Sequence, residues 1–528
     1  MKQKIQIIWW KKNLRVKDNE ILANINADIP VLGVYFFEPR LMQASDWSHF
    51  HLKFTLESLQ QLKHNLESLG IPLLFLASDL PHGFEQLKKN YEIIHICAHE
   101  ETGNHLSYMR DLEVISWCEA SGIPLTEYPT NGVVRRLKSR DHWSQIWNER
   151  MQSPLVHHHD RYTPAHVSPV TLSYSEKIFQ SQWKQAEHIQ NLQVGGEQNA
   201  DSILDNFLNQ RSKQYSYHIS KPAESTHSCS RLSPYISSGC ISVRYIYLKS
   251  LLKIEQLKQI GDEASKKHIK QIRFFLARIH WQSHFIQKLE DEPELEYQNL
   301  NRSYDSIRQS PDESIIEAFF GAKTGIPYID ATMRQLQQTG WCNFRSRAIL
   351  VSFICNSCMQ AWQAVAARMA RLFTDYEPGI HYAQFQMQAG TTGINAIRIY
   401  NPIKNGIEKD SEGKHIRNYL PELNSVPLEY IHEPWKWSDF GSVDYPEPII
   451  DIESANRQAR DILWGIKGKT PKDRKQKILK KHGSRKSSHP KSSRLNGKKE
   501  KIPPTPFIKG GGKRKTKICV DQIALFEA

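Results

Sequence analysis

Nowhere in the 528 residues does an apolar run reach the ~18–20 residues that a membrane span requires. The first residues are not expected to be a secretory leader. Met1 to Lys4 is basic, but the apolar stretch Ile5 to Trp10 is short and Lys11, Lys12 and Arg15 follow at once. The start therefore reads as the first strand of a soluble, cytoplasmic protein with no membrane partner. Cysteine is scarce, with eight residues scattered from Cys97 to Cys519, which argues against a disulfide framework. Cys355 and Cys358 form a lone CxxC inside the largely apolar run Ile349 to Met359. An iron–sulfur site takes about four thiolates, and Cys342 supplies only a third, so the pair reads as small core residues. The run His157-His158-His159-Asp160 reads as a solvated loop rather than a metal site. No GxGxxG follows the first strand and no Walker loop occurs, leaving a standard dinucleotide or NTP site unsupported in the first half.

Acidic residues are nearly missing from one segment only. Residues 467–517 hold twenty Lys and Arg against Asp473 and Glu500, a surplus of eighteen positives. The whole chain carries +14, so the remainder has a slight negative balance. The basic character belongs to a tail and not to a fold.

Residues 1–130 alternate apolar runs (Ile5–Trp9, Val31–Phe37, Pro72–Ala77, Ile93–Ala98, Pro124–Tyr128) with helical spacings over His51–Leu69 and Asn104–Ala120. Alternating strand and helix predicts an α/β, doubly wound parallel sheet. Residues 131–200 lose that alternation and are expected to be a connector over the surface. From 201 to 445 the spacing is helical, with breaks at Pro222, Pro234, Gly325-Ile326-Pro327, Pro378-Gly379 and Asn401-Pro402, which predicts an all-α second domain. Residues 446–528, dominated by Lys, Ser, Pro and Gly beyond about 466, are expected to be a disordered basic tail ending in a short apolar peptide.

Chemistry concentrates in the helical half. Ser228-Cys229-Ser230-Arg231-Leu232-Ser233-Pro234-Tyr235 gathers hydroxyls before a helix start, a pattern suited to phosphate or to simple capping. Tyr217 precedes it. Gly325 to Ala331, Met333 to Leu336, Thr339-Gly340-Trp341, Arg345, Arg347, Asp375, Glu377, Asn401-Pro402, Gly413, Ile416-Arg417 and Leu420 to Leu423 follow. In this order and spacing they resemble the FAD domain of DNA photolyases and cryptochromes. Trp9 to Asn19 resembles that family's first strand and loop. The resemblance spans about residues 1–435.

The resemblance implies FAD as cofactor. It implies that Tyr217, Ser230, Leu232 and Ser233 hold its phosphates, with Cys229 standing where the family has Thr. Trp341 falls in the same cofactor-binding set. Arg347 and Asp375 match the ion pair beside the flavin ring, and Glu377 stands where the family has a second Asp. His381 occupies the position facing flavin N5, where a histidine could donate a proton near neutral pH or could be a hydrogen-bonded core residue. The implied reaction is blue-light-driven electron transfer from FADH⁻ to a damaged base flipped out of DNA. Trp281 matches a lesion-stacking Trp, and Arg345 is retained. Arg278 replaces an essential Glu, Phe344 an Asn, Ala348 a Met and Met387 a second Trp. Arg278 and Asn343 are then candidate polar contacts to the lesion. Phe385 replaces the flavin-proximal Trp of the electron relay, leaving Trp362 and Tyr382 as candidates.

Leu106 and Ser107 stand where folate-binding members have Asn and Glu, so a second antenna chromophore is not identified. The tail is expected to contact phosphate backbone. Its end, Gln522-Ile523-Ala524-Leu525-Phe526, resembles the peptide by which bacterial repair proteins dock on the sliding clamp, with Gln522, Leu525 and Phe526 as its anchors. The expected protein is a monomeric photolyase-like lyase acting on UV-damaged DNA, nucleoid-associated when bound. The alternative is a cryptochrome-type photoreceptor without repair turnover, which the altered lesion pocket favours.

Overall fold

The computed structural model describes residues 1–308, 310–469 and 471–483. Five parallel strands form one sheet: β1 (Gln3–Trp10), β2 (Val31–Phe37), β3 (Leu73–Ala77), β4 (Tyr91–His99) and β5 (Leu125–Tyr128), in the order β3-β2-β1-β4-β5. Alternation within β1 sends Ile5, Ile7 and Trp9 into one core and Ile8 and Trp10 into another, so both faces of the sheet are covered. Helix α1 (His49–Ser68) lines one face through Leu52, Leu56, Leu59, Leu62 and Leu66. Helix α2 (His105–Ser121) is capped by Asn104, whose Oδ1 accepts from the Ser107 amide at 3.0 Å. The strand order reverses between β1 and β4, and a crevice opens at their carboxyl ends.

The connector is more structured than its composition implied. It contains α3 (Trp143–Gln152) and α4 (Pro169–Ala186). Trp143, Trp147 and Met151 recur every four residues, a stripe sparse enough to hide among polar neighbours, and all three are buried. The expectation of a mere surface connection is corrected on this point, although His157 to His159 do lie in a loop.

The second half is helical. Helix α5 (Val243–Ile260) precedes α6 (Glu263–Asp291), which runs through the middle and buries Ile272, Phe275, Leu276, Ile279 and Ile286. Helices α7 (Pro327–Thr339), α8 (Phe344–Ser352), α9 (Trp362–Ala370) and α10 (Pro378–Gln388) pack around a second core of Ile329, Met333, Ile349, Phe353 and Val365. Helix α10 lies close against α6 because residue 379 is glycine; a Cβ there would sit 2.6 Å from the Ile286 Cα.

A second correction concerns the start of the tail. Helices α11 (Ile452–Lys469) and α12 (Lys472–His482) continue the fold past residue 445. Their sequences are polar, yet Ile452, Ala459 and Leu463 are buried, and Asn456 Oδ1 accepts from the Ser357 hydroxyl at 2.6 Å. Ile478 of α12 packs with Leu289, Leu295 and Leu300. The carboxylate of Glu292 receives His482 Nε2 at 2.6 Å and Lys481 Nζ at 2.9 Å. A narrow apolar stripe plus two polar clamps suffices to dock helices that mean composition marks as solvated. The clamp-like peptide Gln522, Leu525 and Phe526 lies outside the described residues. No helix among the described residues is long and apolar enough to cross a membrane.

Candidate functional site

Two loops and two helix starts build the site. Asn343 caps α8, its Oδ1 accepting from the Ser346 amide at 2.8 Å, and this sets Arg347 one turn into the helix. The Thr374 amide donates to the Gly340 carbonyl at 3.0 Å, tying the loop before α10 to the loop before α8. That approach requires glycine: Gly340 has φ +64°, and a Cβ there would meet Thr374 Oγ1 at 2.0 Å. The result is a fork-to-fork pair in which Arg347 Nη1 and Nη2 donate to Asp375 Oδ1 and Oδ2 at 3.0 and 2.9 Å. The Arg347 Nε donates to the Cys342 carbonyl at 3.0 Å, and its guanidinium lies 4.2 Å from the Phe373 ring centroid. Burial pushes the Asp375 carboxyl upward, but Arg347 beside it brings the net shift below the ordinary value.

Beside this pair lies a residue that sequence reasoning passed over. Arg231 has φ +60°, outside the range most side chains adopt, and its guanidinium stacks 3.9 Å from the Trp341 ring. Burial lowers its pKa to about 10. The unusual backbone at 231 turns the chain between Ser230 and Ser233, two of the expected phosphate contacts. Leu232 itself is wholly buried, so only its backbone can face a ligand; its N–H points to Ser230 Oγ at 3.4 Å. Tyr217 stands 67% exposed on the short helix Tyr215–His218.

Two buried oxygens of the cluster lack partners. These are Glu377 Oε1 and Thr374 Oγ1. An orphaned buried carboxylate oxygen is costly unless a donor arrives. Burial, opposed by Lys12, moves the Glu377 carboxyl up to about 7. A hydroxyl-rich, phosphate-bearing group fits these residues: guanidinium groups and serines would donate to phosphate, and the unsatisfied Glu377 oxygen would accept from a hydroxyl.

His381 requires a correction. Its Nε2 lies 2.8 Å from the Ala366 carbonyl, which can only accept, so Nε2 carries the proton. Burial lowers its pKa to about 4. The ring is neutral at pH 7 with its one N–H committed, which removes the expected proton donation near neutrality. It sits among Phe373, Tyr376, Tyr382 and Phe385. Asn343 is corrected too. Its Nδ2 donates to Ser225 Oγ at 3.0 Å while Oδ1 caps α8, and the residue is buried, so it holds the helix rather than offering a free contact.

The remaining candidates cluster at one rim. Arg278 is exposed, with the Phe274 and Phe344 rings 4.8 and 5.8 Å from its guanidinium. Trp281, one turn along α6, contacts His284 and Phe285. Arg345 Nη1 donates to the Tyr400 hydroxyl at 2.6 Å, a partner the sequence did not suggest. On the other side of the site the Trp362 and Tyr382 rings are 6.2 Å apart, and Trp362 Nε1 donates to Asn299 Oδ1 at 2.7 Å. A further cavity of about 200 Å³ opens at the strand-end crevice, lined by Trp10, Lys12, Glu38, Asp46, Arg110 and Tyr376. Ser107 reaches its wall, but its hydroxyl donates to the Asn104 carbonyl of the α2 cap.

A parallel α/β domain joined to a helical domain with a cation–carboxylate cradle is the arrangement of a two-domain protein suited to an anionic, hydroxyl-rich group. The family described as DNA photolyase matches residues 6–141, and the FAD binding domain of DNA photolyase matches residues 275–465. The deoxyribodipyrimidine photo-lyase of Alkalihalophilus pseudofirmus is 25% identical over 489 residues, 87% of this chain and 98% of its own length. That of Escherichia coli is 27% identical over 485 residues, 86% and 97%. Cryptochrome DASH of Gloeobacter violaceus is 24% identical over 497 residues, 88% and 97%. The bacterial class III photolyase of Agrobacterium tumefaciens shares the fold, with a TM-score of 0.75 at 24% identity over 89% of this chain and 99% of that one. The chain belongs to the DNA photolyase/cryptochrome family.

Proposed function

We propose that this protein is a FAD-dependent, blue-light-driven DNA repair flavoprotein acting on a pyrimidine photoproduct flipped out of the duplex. The observation that carries the reading is the Arg347–Asp375 fork with Arg231 near its carboxylate. FAD, when bound, supplies light absorption and one-electron chemistry. Arg347 would place fixed positive charge and oriented donors beside the ring. Ser230, Ser233 and Arg231 would hold the pyrophosphate, with Trp341 supporting Arg231. Glu377 would accept hydroxyl protons of the ribityl or ribose. Arg278, Trp281 and Arg345 form the side that meets DNA: two cations for phosphate or a lesion carbonyl, and an indole for stacking.

The second reading, a photoreceptor without repair, is favoured by the same rim. Phe344 and Met387 offer no polar contact, and Asn343 is committed to its helix. Illumination of the purified protein with oligonucleotides carrying cyclobutane dimers or (6-4) products, under reducing conditions, separates the two. Restoration of either lesion supports repair; none at any dose favours the receptor reading.

We further assign the segment beyond α12 to partner contacts: DNA phosphate along its basic stretch and a bacterial sliding clamp at Gln522, Leu525 and Phe526. Residues 484–528 hold twelve of the Lys and Arg residues. Deleting residues 484–528 leaves α11 and α12 in place. The truncated protein is expected to retain flavin and to show a flatter log–log salt dependence of DNA binding, the slope falling by roughly 0.9 for each phosphate no longer neutralised. A full slope in the truncated protein removes the DNA role of this segment. The protein is expected to act as a monomer in the cytoplasm, at the nucleoid when bound.

A further inference from the structure

The substitution Phe385 leaves the flavin site without its nearest tryptophan, and the structure offers another set of redox-active side chains. Tyr382 is 5% exposed on α10, directly after His381. Its ring contacts those of Trp362 at 6.2 Å and His381 at 5.4 Å. The Tyr382 and Tyr376 hydroxyls lie 3.5 Å apart. Tyr376, set between Asp375 and Glu377 in the cradle loop, donates to Asp46 Oδ2 at 2.5 Å. Asp46 comes from the other domain, in the turn before α1, and also accepts from Asn104 Nδ2 at 2.9 Å. His51 stacks on Tyr376 with centroids 5.6 Å apart and 24° between planes, its Nε2 donating to the Phe373 carbonyl at 2.9 Å. Asp46 and Tyr376 both line the strand-end cavity.

Oxidising a phenol turns its O–H into a strong acid, so a buried tyrosine passes an electron readily only where a base takes the proton. Burial raises both phenols above their ordinary value, Asp46 adding to the effect, so neither ionises beforehand and electron and proton must leave together. A tryptophan relay needs no such base; a Tyr–Tyr–carboxylate chain does, and here it is present.

We propose that Tyr382, Tyr376 and Asp46 form a proton-coupled electron relay that runs from the flavin site across the domain boundary to the cavity. Tyr382 would be the residue that supplies one electron to the flavin when that group is bound and excited. Its O–H bond breaks toward Tyr376 as the Tyr376 proton passes to the Asp46 carboxylate. A small thiolate reductant then gives one electron to the tyrosyl and leaves as a thiyl radical, and the proton returns from Asp46 along the same path to re-form the phenol. This relay rests on the flavin reading above.

The experiment uses the full-length flavin-loaded protein and Tyr382→Phe, Tyr376→Phe, Asp46→Asn and Tyr382→Trp variants. Readouts are bleaching of blue absorbance under illumination with thiol, the electron paramagnetic resonance signal of frozen illuminated samples, and dark reduction by dithionite. Tyr382→Phe is expected to slow photoreduction at least tenfold and abolish the tyrosyl signal. Tyr376→Phe and Asp46→Asn should slow it several-fold and erase its slowing in D2O, with dark reduction unchanged in all. Tyr382→Trp should restore photoreduction without a D2O effect. Undiminished photoreduction or a persistent tyrosyl signal in Tyr382→Phe overturns the relay, as does an unchanged D2O effect in Asp46→Asn. A wild-type protein without blue absorbance would sink the flavin reading itself, a distinct outcome.

Discussion

Replacing Arg347 with alanine is expected to cost roughly 3–5 kcal/mol of folding stability, because it strands a buried carboxylate. Asp375 is 4% exposed on its side chain; both its oxygens accept from the Arg347 guanidinium, and the Ser233 hydroxyl and the nearby Arg231 add lesser support. Without that guanidinium, only Ser233 and Arg231 are left to oppose burial, the largest influence on that carboxyl, and its pKa rises relative to the wild type. The sign of the linkage follows. A depressed folded value contributes stability that is full above the unfolded value of ~4 and fades as pH falls through the folded value. The variant should therefore lose the most above pH 5 and little at the acid end. The same change should weaken retention of flavin at least tenfold and lower the reduction potential of what remains, since positive charge beside the ring is removed. Urea midpoints at pH 4 and pH 7, flavin content after gel filtration and a redox titration measure the three effects. Arg347→Lys keeps the charge and loses the fork, and should recover only part of each. Equal stability and an unaltered potential in Arg347→Ala would contradict the assignment of this pair.

Glu377→Gln is the second large effect and has the opposite sign. Burial raises the Glu377 carboxyl to about 7, against an ordinary ~4.5, while Lys12 only partly opposes it. The folded apoprotein therefore holds this proton more tightly than the unfolded chain does. Stability is highest below ~4.5 and declines as pH rises to 7, by about 3 kcal/mol for a shift of ~2.5 units. Glutamine keeps the shape, cannot ionise and removes that decline. The apoprotein variant should unfold at higher urea than wild type at pH 8 and at similar urea at pH 4. In the flavin-loaded protein the difference should shrink, because donors that reach the orphaned Oε1 favour the ionised form. Unfolding midpoints with and without FAD test both statements. A variant less stable than wild type at pH 8 would mean that the carboxylate is already satisfied.

Much of the architecture could be read beforehand because the strands are buried on both faces. Ile5 to Trp10 and Val31 to Phe37 carry nearly continuous apolar sequence, which only a covered parallel sheet requires. The helices missed were those whose buried stripe is thin: Trp143, Trp147 and Met151 in α3, and Ile452, Ala459 and Leu463 in α11. Window composition averages such stripes away. The Arg347–Asp375 couple was legible from spacing within a resembling pattern. The partners of His381 and Asn343 were not, since a backbone carbonyl and a serine hydroxyl leave no mark on residue type. Arg231 and Tyr376 were hidden for another reason. Each lies inside a motif whose neighbours drew the attention, and only backbone geometry reveals where its side chain goes. Asp46 lies 330 positions from Tyr376, so only the folded chain brings them together.

The tight seating of α10 on α6 at Gly379 has a consequence for speed. Electron tunnelling falls off exponentially with separation, so the spread of donor–acceptor distances matters as much as the mean. A side chain at 379 would pry the two helices apart and shift the rings that α10 carries, those of His381, Tyr382 and Phe385. With glycine there, the two helices behave as a single strut, and the proposed relay would start from a fixed position.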